Sequence, residues 1–363
     1  MHKAGERDMK RVVTVIATLL CLGAPMVSVQ AFDIPQIEGY DIFNETAQSI
    51  INGKFSLNPM SVLGNIAQSV GGEIKAFSAV AGVMLVICLL SSMTGTLNSA
   101  LGQRSTANAA FFTFFTVISG LALTCFLKAF SYGNEVISYM ASFMNKLTPI
   151  VIMTLFACAK TASAAAFEPV LSASVFVATE IIEKCLVPLI TFSAILSVAG
   201  NAGDKNRISG FVKIVKSITR WLMALVITVF TGVNTIYGFT APAIDAVTTK
   251  TLKFAVGSLV PVVGGFLSDT LDTVATSAAV MKNAVGVSGI IIMCVICVSP
   301  IIKIGIMQFI LKLISALCEP ITDARISAML WDMSEAVTAI FGMVVLTAVL
   351  FLINICIILR VTG

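Results

Sequence analysis

Long stretches without a charged residue constrain this chain more than any other feature of its sequence. A helix needs about 20 apolar residues to cross the hydrocarbon core of a bilayer. Residues 109–127 come close to that length, and four stretches reach it: 76–97, 221–244, 283–302 and 336–359. The composition agrees, because 57% hydrophobic and 12% charged residues lie outside the range of soluble domains. The sequence therefore predicts an all-α, polytopic helical membrane protein.

Residues 1–31 have the pattern of a secretory signal peptide. Basic residues precede an apolar run at 12–23 that is too short to span a bilayer, and Ala31 offers the small side chain that a signal peptidase prefers. We predict cleavage after Ala31, with an uncleaved anchor of the same orientation as the alternative. Either way, the chain that follows begins outside the membrane. Cleavage removes His2, the only histidine, and with it any mechanism that needs an imidazole.

Residues 32–75 are the one sizeable polar stretch. Apolar residues recur in it at helical spacing, as at Phe43, Ala47 and Ile50, which predicts an extracytoplasmic amphipathic segment. It would be either a contact surface for an extracytoplasmic partner or a lead-in that lies on the bilayer. Residues 76–363 are predicted to form the helical transmembrane domain.

The number of membrane crossings depends on two stretches. Charged residues divide the first stretch, 147–203, into pieces at 147–159, 169–179 and 185–203. These could be three spans or one span with a re-entrant pair. The second, 254–268, is short and contains Pro261, which removes a backbone donor, so we predict a broken or re-entrant element there. The total prediction is about seven to nine transmembrane or re-entrant helices, in an odd number.

A basic segment at 204–220 sets the predicted orientation. Cytoplasmic loops retain positive charge, so this loop is predicted to be cytoplasmic, and counting crossings from an outside amino terminus also places Arg360 and the carboxyl terminus inside. Phe211, Ile214, Val215 and Ile218 fall on one helical face, which indicates an interfacial helix. The function is either docking of a cytoplasmic partner or topology determination with contact to anionic lipid. The candidate docking residues are Lys205, Arg207, Lys213, Lys216 and Arg220.

Two carboxylates follow the predicted broken element and share one helical face because they are three residues apart. Ionisable groups at membrane depth are typical of a transport pathway. The alternative is an interfacial helix start, with Ser268 as its cap and the two acids at its positive end. The candidate pathway or gate consists of Pro261, Gly264, Gly265, Asp269 and Asp272.

No pattern in the chain predicts enzymatic chemistry. There is no glycine-rich phosphate loop or dinucleotide turn in the sequence, so an energy source would be another protein or an ion gradient. Cys294 and Cys297 have redox-motif spacing, but their apolar surroundings would not lower a thiol pKa. We expect no catalytic residue, no cofactor, no metal site and no nucleic-acid partner.

A family resemblance enters through one region. Residues 257–274 read Gly-Ser-Leu-Val-Pro-Val-Val-Gly-Gly-Phe-Leu-Ser-Asp-Thr-Leu-Asp-Thr-Val, and residues 280–289 continue with Val-Met-Lys-Asn-Ala-Val-Gly-Val-Ser-Gly. Later motifs are Pro-Ile-Ile-Lys-Ile at 300–304 and Glu-Pro-Ile-Thr-Asp at 319–323. This region resembles the stage III sporulation protein AE family, and the order of signal peptide, outer segment and polytopic domain agrees with that family.

The resemblance implies a role in the multi-protein channel that spans the two membranes between mother cell and forespore. It implies a location in the mother-cell membrane and, as partners, other proteins of the same stage III operon, including ring-forming extracytoplasmic subunits. A separate secretion-type ATPase on the cytoplasmic side and membrane lipid complete that set. Small residues such as Ala79, Ala81 and Gly82 are compatible with packing between chains, and hence with a homo-oligomer. Three hypotheses stay open: a chain that lines a conduit, a structural assembly platform, and an independent secondary transporter or permease.

Overall fold

The apolar stretches form long helices in the structure, which is a computed structural model. It describes residues 59–100, 104–157, 161–203, 209–259 and 264–360. Outside it lie the predicted signal peptide and most of the predicted extracytoplasmic segment, and so do the side chains of residues 238–285. Every secondary-structure element in the described ranges is helical, so the all-α prediction is confirmed.

The described helices follow one another with short connections. The α-helices are α1 (Pro59–Ala100), α2 (Arg104–Ala157), α3 (Thr161–Ile181), α4 (Val187–Ala202), α5 (Ser209–Leu259), α6 (Gly264–Cys318) and α7 (Ala324–Arg360). A π-helical turn, Ile182–Leu186, joins α3 to α4 without a break.

Six helical stretches in the described ranges are long and apolar enough to cross a membrane, close to the seven to nine helices that were predicted. The stretch that the sequence left open, 147–203, contains neither three separate spans nor a re-entrant pair. Its first piece continues α2, and the other two belong to one continuous helical run that includes the candidate span Glu168–Ala202. Lys184 lies on the surface of that run and pairs with Glu180 one turn away, so these charges do not end the helix.

The helices pack around a core rich in methionine, isoleucine and phenylalanine side chains, and α2 and α6 run in opposite directions. Met140 of α2 meets Cys297 of α6 with 3.1 Å between the sulfur atoms, and Leu147 packs against Gly289 further along the same pair. Helix α7 runs parallel to α2. Gly133 allows their close approach, because a Cβ atom there would lie 2.7 Å from Cγ2 of Ile340.

Contacts near the start of α7 define one end of the bundle, here called the basic end. Asp332 of α7 binds Lys216 of α5, and the guanidinium carbon of Arg325 lies 3.7 Å from the ring centroid of Phe111 near the start of α2. Helix α5 runs parallel to α7 from this end, since Thr235 and Cys356 line one groove farther along.

The carboxyl-terminal part of α7 therefore lies far from the basic segment. The apolar stretch Ala324–Ile357 is one uninterrupted helix, and a helix of that length extends about 50 Å. The sequence predicted the basic segment and Arg360 on the same side of the membrane. The structure places them at opposite ends of the bundle, because α7 begins beside Lys216 and does not turn back.

Candidate functional site

Three of the five predicted docking residues lie on a helix rather than in a loop. Lys213, Lys216 and Arg220 all belong to α5, which begins at Ser209, whereas Lys205 and Arg207 lie outside the described residues. From Ser209 onward, the basic segment is thus continuous with the span that follows it, and the predicted helical pattern is confirmed there.

The first three turns of α5 have three distinct faces. Val212, Val215 and Thr219 are buried against the bundle. An apolar face points outward and consists of Phe211, Ile214, Ile218 and Trp221, with Trp221 65% exposed. Lys213 and Arg220 form an exposed cationic face. The sequence assigned Val215 to the outward apolar face, whereas the structure turns it into the core.

Lys216 connects three helices at the basic end. Its Nζ donates hydrogen bonds to Oδ1 of Asp332 at 2.7 Å and to Oε2 of Glu335 at 2.6 Å, both on α7. The second oxygen of Asp332 accepts a hydrogen bond from Nδ2 of Asn201 at 2.8 Å, near the end of α4. We call Asn201, Lys216, Asp332 and Glu335 the basic-end cluster.

The electrostatics of this cluster explain its geometry. The Lys216 side chain is 16% exposed and that of Asp332 is 26% exposed, so neither charge is fully hydrated. A half-buried ammonium group requires acceptors, and two carboxylates from adjacent turns of α7 supply them. The arrangement holds α4, α5 and α7 in register. Lys216 therefore differs from the other predicted docking residues, because its charge is already paired with carboxylates inside the fold.

The α6–α7 connection at the same end carries further charged contacts. Asp323 accepts a hydrogen bond from the backbone N–H of Arg325 at 2.9 Å and binds the guanidinium through both carboxylate oxygens at 3.2 Å. Nζ of Lys312 lies 5.9 Å from the ring centroid of Trp331, whose side chain is exposed. Aromatic and cationic side chains at one end of a helical bundle are typical of a membrane–water interface.

The predicted pathway residues lie around the α5–α6 connection. Helix α5 ends at Leu259 and α6 begins at Gly264, and residues 260–263 between them lie outside the described residues. Pro261 lies outside the described residues, and so do the side chains of Asp269 and Asp272. Their predicted role stays a prediction. Ser268 itself is not the cap, because it lies inside α6, after a helix start that includes Gly264 and Gly265. The alternative of an interfacial helix start also stays a prediction.

One ionisable pair was missed by the sequence analysis. Glu135 of α2 lies near Lys303 of α6, and the Tyr139 hydroxyl donates a hydrogen bond to the Glu135 carboxylate. Nζ of Lys303 lies 5.5 Å from the ring centroid of Tyr132. Polar residues recur at helical spacing after residue 127 and indicated that the helix continues, but the predicted span ended at residue 127. Among the described residues, no three His, Cys, Asp or Glu side chains are grouped closely enough to hold a metal ion.

Comparison with known proteins gives a consistent result. The profile of the family described as stage III sporulation protein AE matches residues 42–362. The stage III sporulation protein AE of Bacillus subtilis (strain 168) is 28% identical over 309 residues, which cover 85% of this chain and 77% of that protein. No solved structure matches the chain. Because the profile extends over all the described helices, this chain belongs to the stage III sporulation protein AE family.

Proposed function

We propose that this chain is a membrane core component of the multi-protein, secretion-like channel that links mother cell and forespore and supports forespore development. The observation that carries the proposal is the family match over residues 42–362, which includes every described helix and not one motif alone. The six apolar helical stretches support a place within the membrane.

The proposed orientation follows from charge. Lysine and arginine are retained on the cytoplasmic side, so the basic end faces the mother-cell cytoplasm. An outside start for α1 agrees with this orientation and with the predicted signal peptide. Because α7 runs away from the basic end, the proposal places the carboxyl terminus outside, in the space between the two membranes, and not in the cytoplasm.

The proposed partners divide between the two ends of the bundle. At the basic end, the exposed Lys213 and Arg220 and the outward apolar face of α5 would meet anionic lipid and a separate secretion-type ATPase. At the opposite end, residues 32–75 would meet ring-forming extracytoplasmic subunits. No catalytic role and no cofactor are part of the proposal.

The proposal is tested by replacing the corresponding gene of an endospore-forming host with this one, carrying an affinity tag. We expect deletion to abolish heat-resistant spores, this gene to restore them, and the tagged chain to co-purify with the ring-forming subunits and the ATPase from sporulating cells. Normal spore counts after deletion would refute the proposal. Restored spores without any co-purifying operon protein would refute its placement in a complex.

Two further experiments separate the alternatives. An independent secondary transporter predicts solute flux by the purified chain alone in liposomes, whereas the proposed channel component predicts none. For the candidate gate, single cysteines at 258–272 in a cysteine-free variant should react with a water-soluble thiol reagent when the assembly is intact. Complete protection of that segment would favour an assembly platform that does not conduct.

A further inference from the structure

Helix α2 carries a polar stripe that faces outward from the bundle. Over residues 131–145, one side of the helix presents only polar side chains, which are exposed or, for Glu135, half-buried. The opposite side is buried and apolar, with Val136, Met140 and Met144 in the core. We call the following set the α2 polar stripe: Ser131, Asn134, Glu135, Ser138, Ser142 and Asn145.

This stripe lies at the same level as surfaces that are suited to lipid. Met140 touches Cys297, and Tyr132 lies beside Lys303, so the stripe is level with the middle of α6. There the outward side chains of α6 are apolar, as Val298 and Ile302 illustrate. Gly133, next to the stripe, packs against Ile340, near the middle of the apolar stretch of α7.

The length of the polar face also matches a membrane. From Lys128 to Lys146 it extends over a distance of about 27 Å, close to the roughly 30 Å hydrocarbon core of a bilayer. Polar and ionisable side chains at that depth are strongly disfavoured against lipid, and they line water-filled spaces or protein interfaces instead. The Tyr139 hydroxyl and the Lys303 ammonium group lie near the Glu135 carboxylate at the edge of the stripe.

We propose that the α2 polar stripe lines a water-filled path through the membrane, and that further copies of this chain complete the wall. The inference rests on the proposed channel function and deepens it by naming the lining and the solute class. Hydroxyl and amide groups beside charges of both signs, Glu135 and the lysines at 128 and 146, suit small hydrophilic solutes of either charge.

The case for further copies comes from the number of helix faces that a path needs. One helix face can supply only one side of a path, and the outward face of α6 at this level is apolar, as at Val298 and Ile302. Copies related by a rotation axis would each turn the same stripe towards that axis. A ring of identical stripes is therefore the arrangement that hydrates all of them.

The test uses single cysteines in a cysteine-free variant that still supports sporulation. Ser131→Cys, Asn134→Cys, Ser138→Cys and Ser142→Cys sample the stripe, and Val298→Cys and Ile302→Cys are matched controls at the same level. Intact membranes from sporulating cells are treated with a membrane-impermeant, charged thiol reagent. We expect the stripe cysteines to react at least about tenfold faster than the controls. We also expect a bifunctional thiol reagent with a flexible spacer to link two copies of the Ser138→Cys variant across the path, which a direct disulfide is too short to do.

Each other outcome overturns the proposal. Equal reaction of stripe and control cysteines would place this level of the bundle in water outside the membrane. Protection of the stripe in membranes, with reaction only after solubilisation in detergent, would show that protein covers it. Stripe labelling without any link between copies would overturn the ring of copies. Spore counts and co-purification of the same variants are measured in parallel. If the labelling overturns the stripe proposal while spore counts stay normal, the proposed channel role is unaffected.

Discussion

At the scale of single residues, Lys216 has the clearest structural role in the described part of the chain. Its ammonium group donates hydrogen bonds to two carboxylates on α7, and Asn201 donates a hydrogen bond to the second oxygen of Asp332. Removing the cation leaves two half-hydrated carboxylates facing each other. The cost of an unpaired, partly buried charge exceeds the small value of an exposed ion pair.

We therefore expect Lys216→Met to destabilise the protein by about 2 kcal/mol. The matched control is Lys213→Met on the exposed face of the same helix, which should change stability by less than about 0.5 kcal/mol. Thermal unfolding in detergent measures both variants. Equal melting temperatures for the two variants would contradict the role assigned to the basic-end cluster.

The sequence could identify the basic residues but not their partners. Lys216 was grouped with four other cations because all five occur within one segment, and charge counting cannot show which of them is used internally. Its acceptors lie 116 and 119 positions further along the chain. Glu135 was missed for a related reason: its stabilising cation, Lys303, is on another helix.

At the scale of helices, close approach of α2 and α7 depends on one glycine. Gly133 faces the β-branched side chain of Ile340, whose rotamer is restricted within a helix and cannot easily move away. Gly120 is on the same helix, and a Cβ atom there would meet nothing within 4 Å. The two glycines thus differ in packing and share the same intrinsic helix propensity.

The two glycines should respond oppositely to alanine. Gly133→Ala is expected to destabilise the protein by about 1–2 kcal/mol, because overpacking exceeds the gain in helix propensity. Gly120→Ala should stabilise it by about 0.5–1 kcal/mol. Thermal unfolding of the two variants, measured side by side with the natural protein, gives both changes in stability. A stabilising Gly133→Ala would show that α2 and α7 are not packed this closely.

Hydropathy predicted where the apolar parts of the helices lie but not how far the helices continue. The structure extends α5 back to Ser209, through the basic residues, because three faces of one helix can serve core, outer surface and charge at once. Charged residues also did not mark the end of a helix in the run from α3 to α4, where Glu180 and Lys184 pair on the surface. A hydropathy window averages over all faces and cannot separate these cases.

At the scale of the whole molecule, the direction of α7 changes the predicted topology. Sequence counting placed the carboxyl terminus with the basic segment because it counted 254–268 as an additional crossing between 221–244 and 283–302. The described helices cross from end to end with fewer reversals, and α7 leaves the basic end without returning.

A pair of reporters tests this topology in cells. One is inserted within residues 204–208 and the other is fused after residue 363, each active on only one side of the membrane. We expect a cytoplasmic signal from the first and an extracytoplasmic signal from the second. The same side for both would contradict the proposed orientation of α7.

The central claim is that this chain is part of the channel between mother cell and forespore. The most direct measurement is fluorescence recovery of a small hydrophilic dye in a photobleached forespore, in a host whose own gene is deleted or replaced by this one. The account predicts recovery from the mother cell with this gene present and none in the deletion strain. Equal recovery in both strains would contradict it.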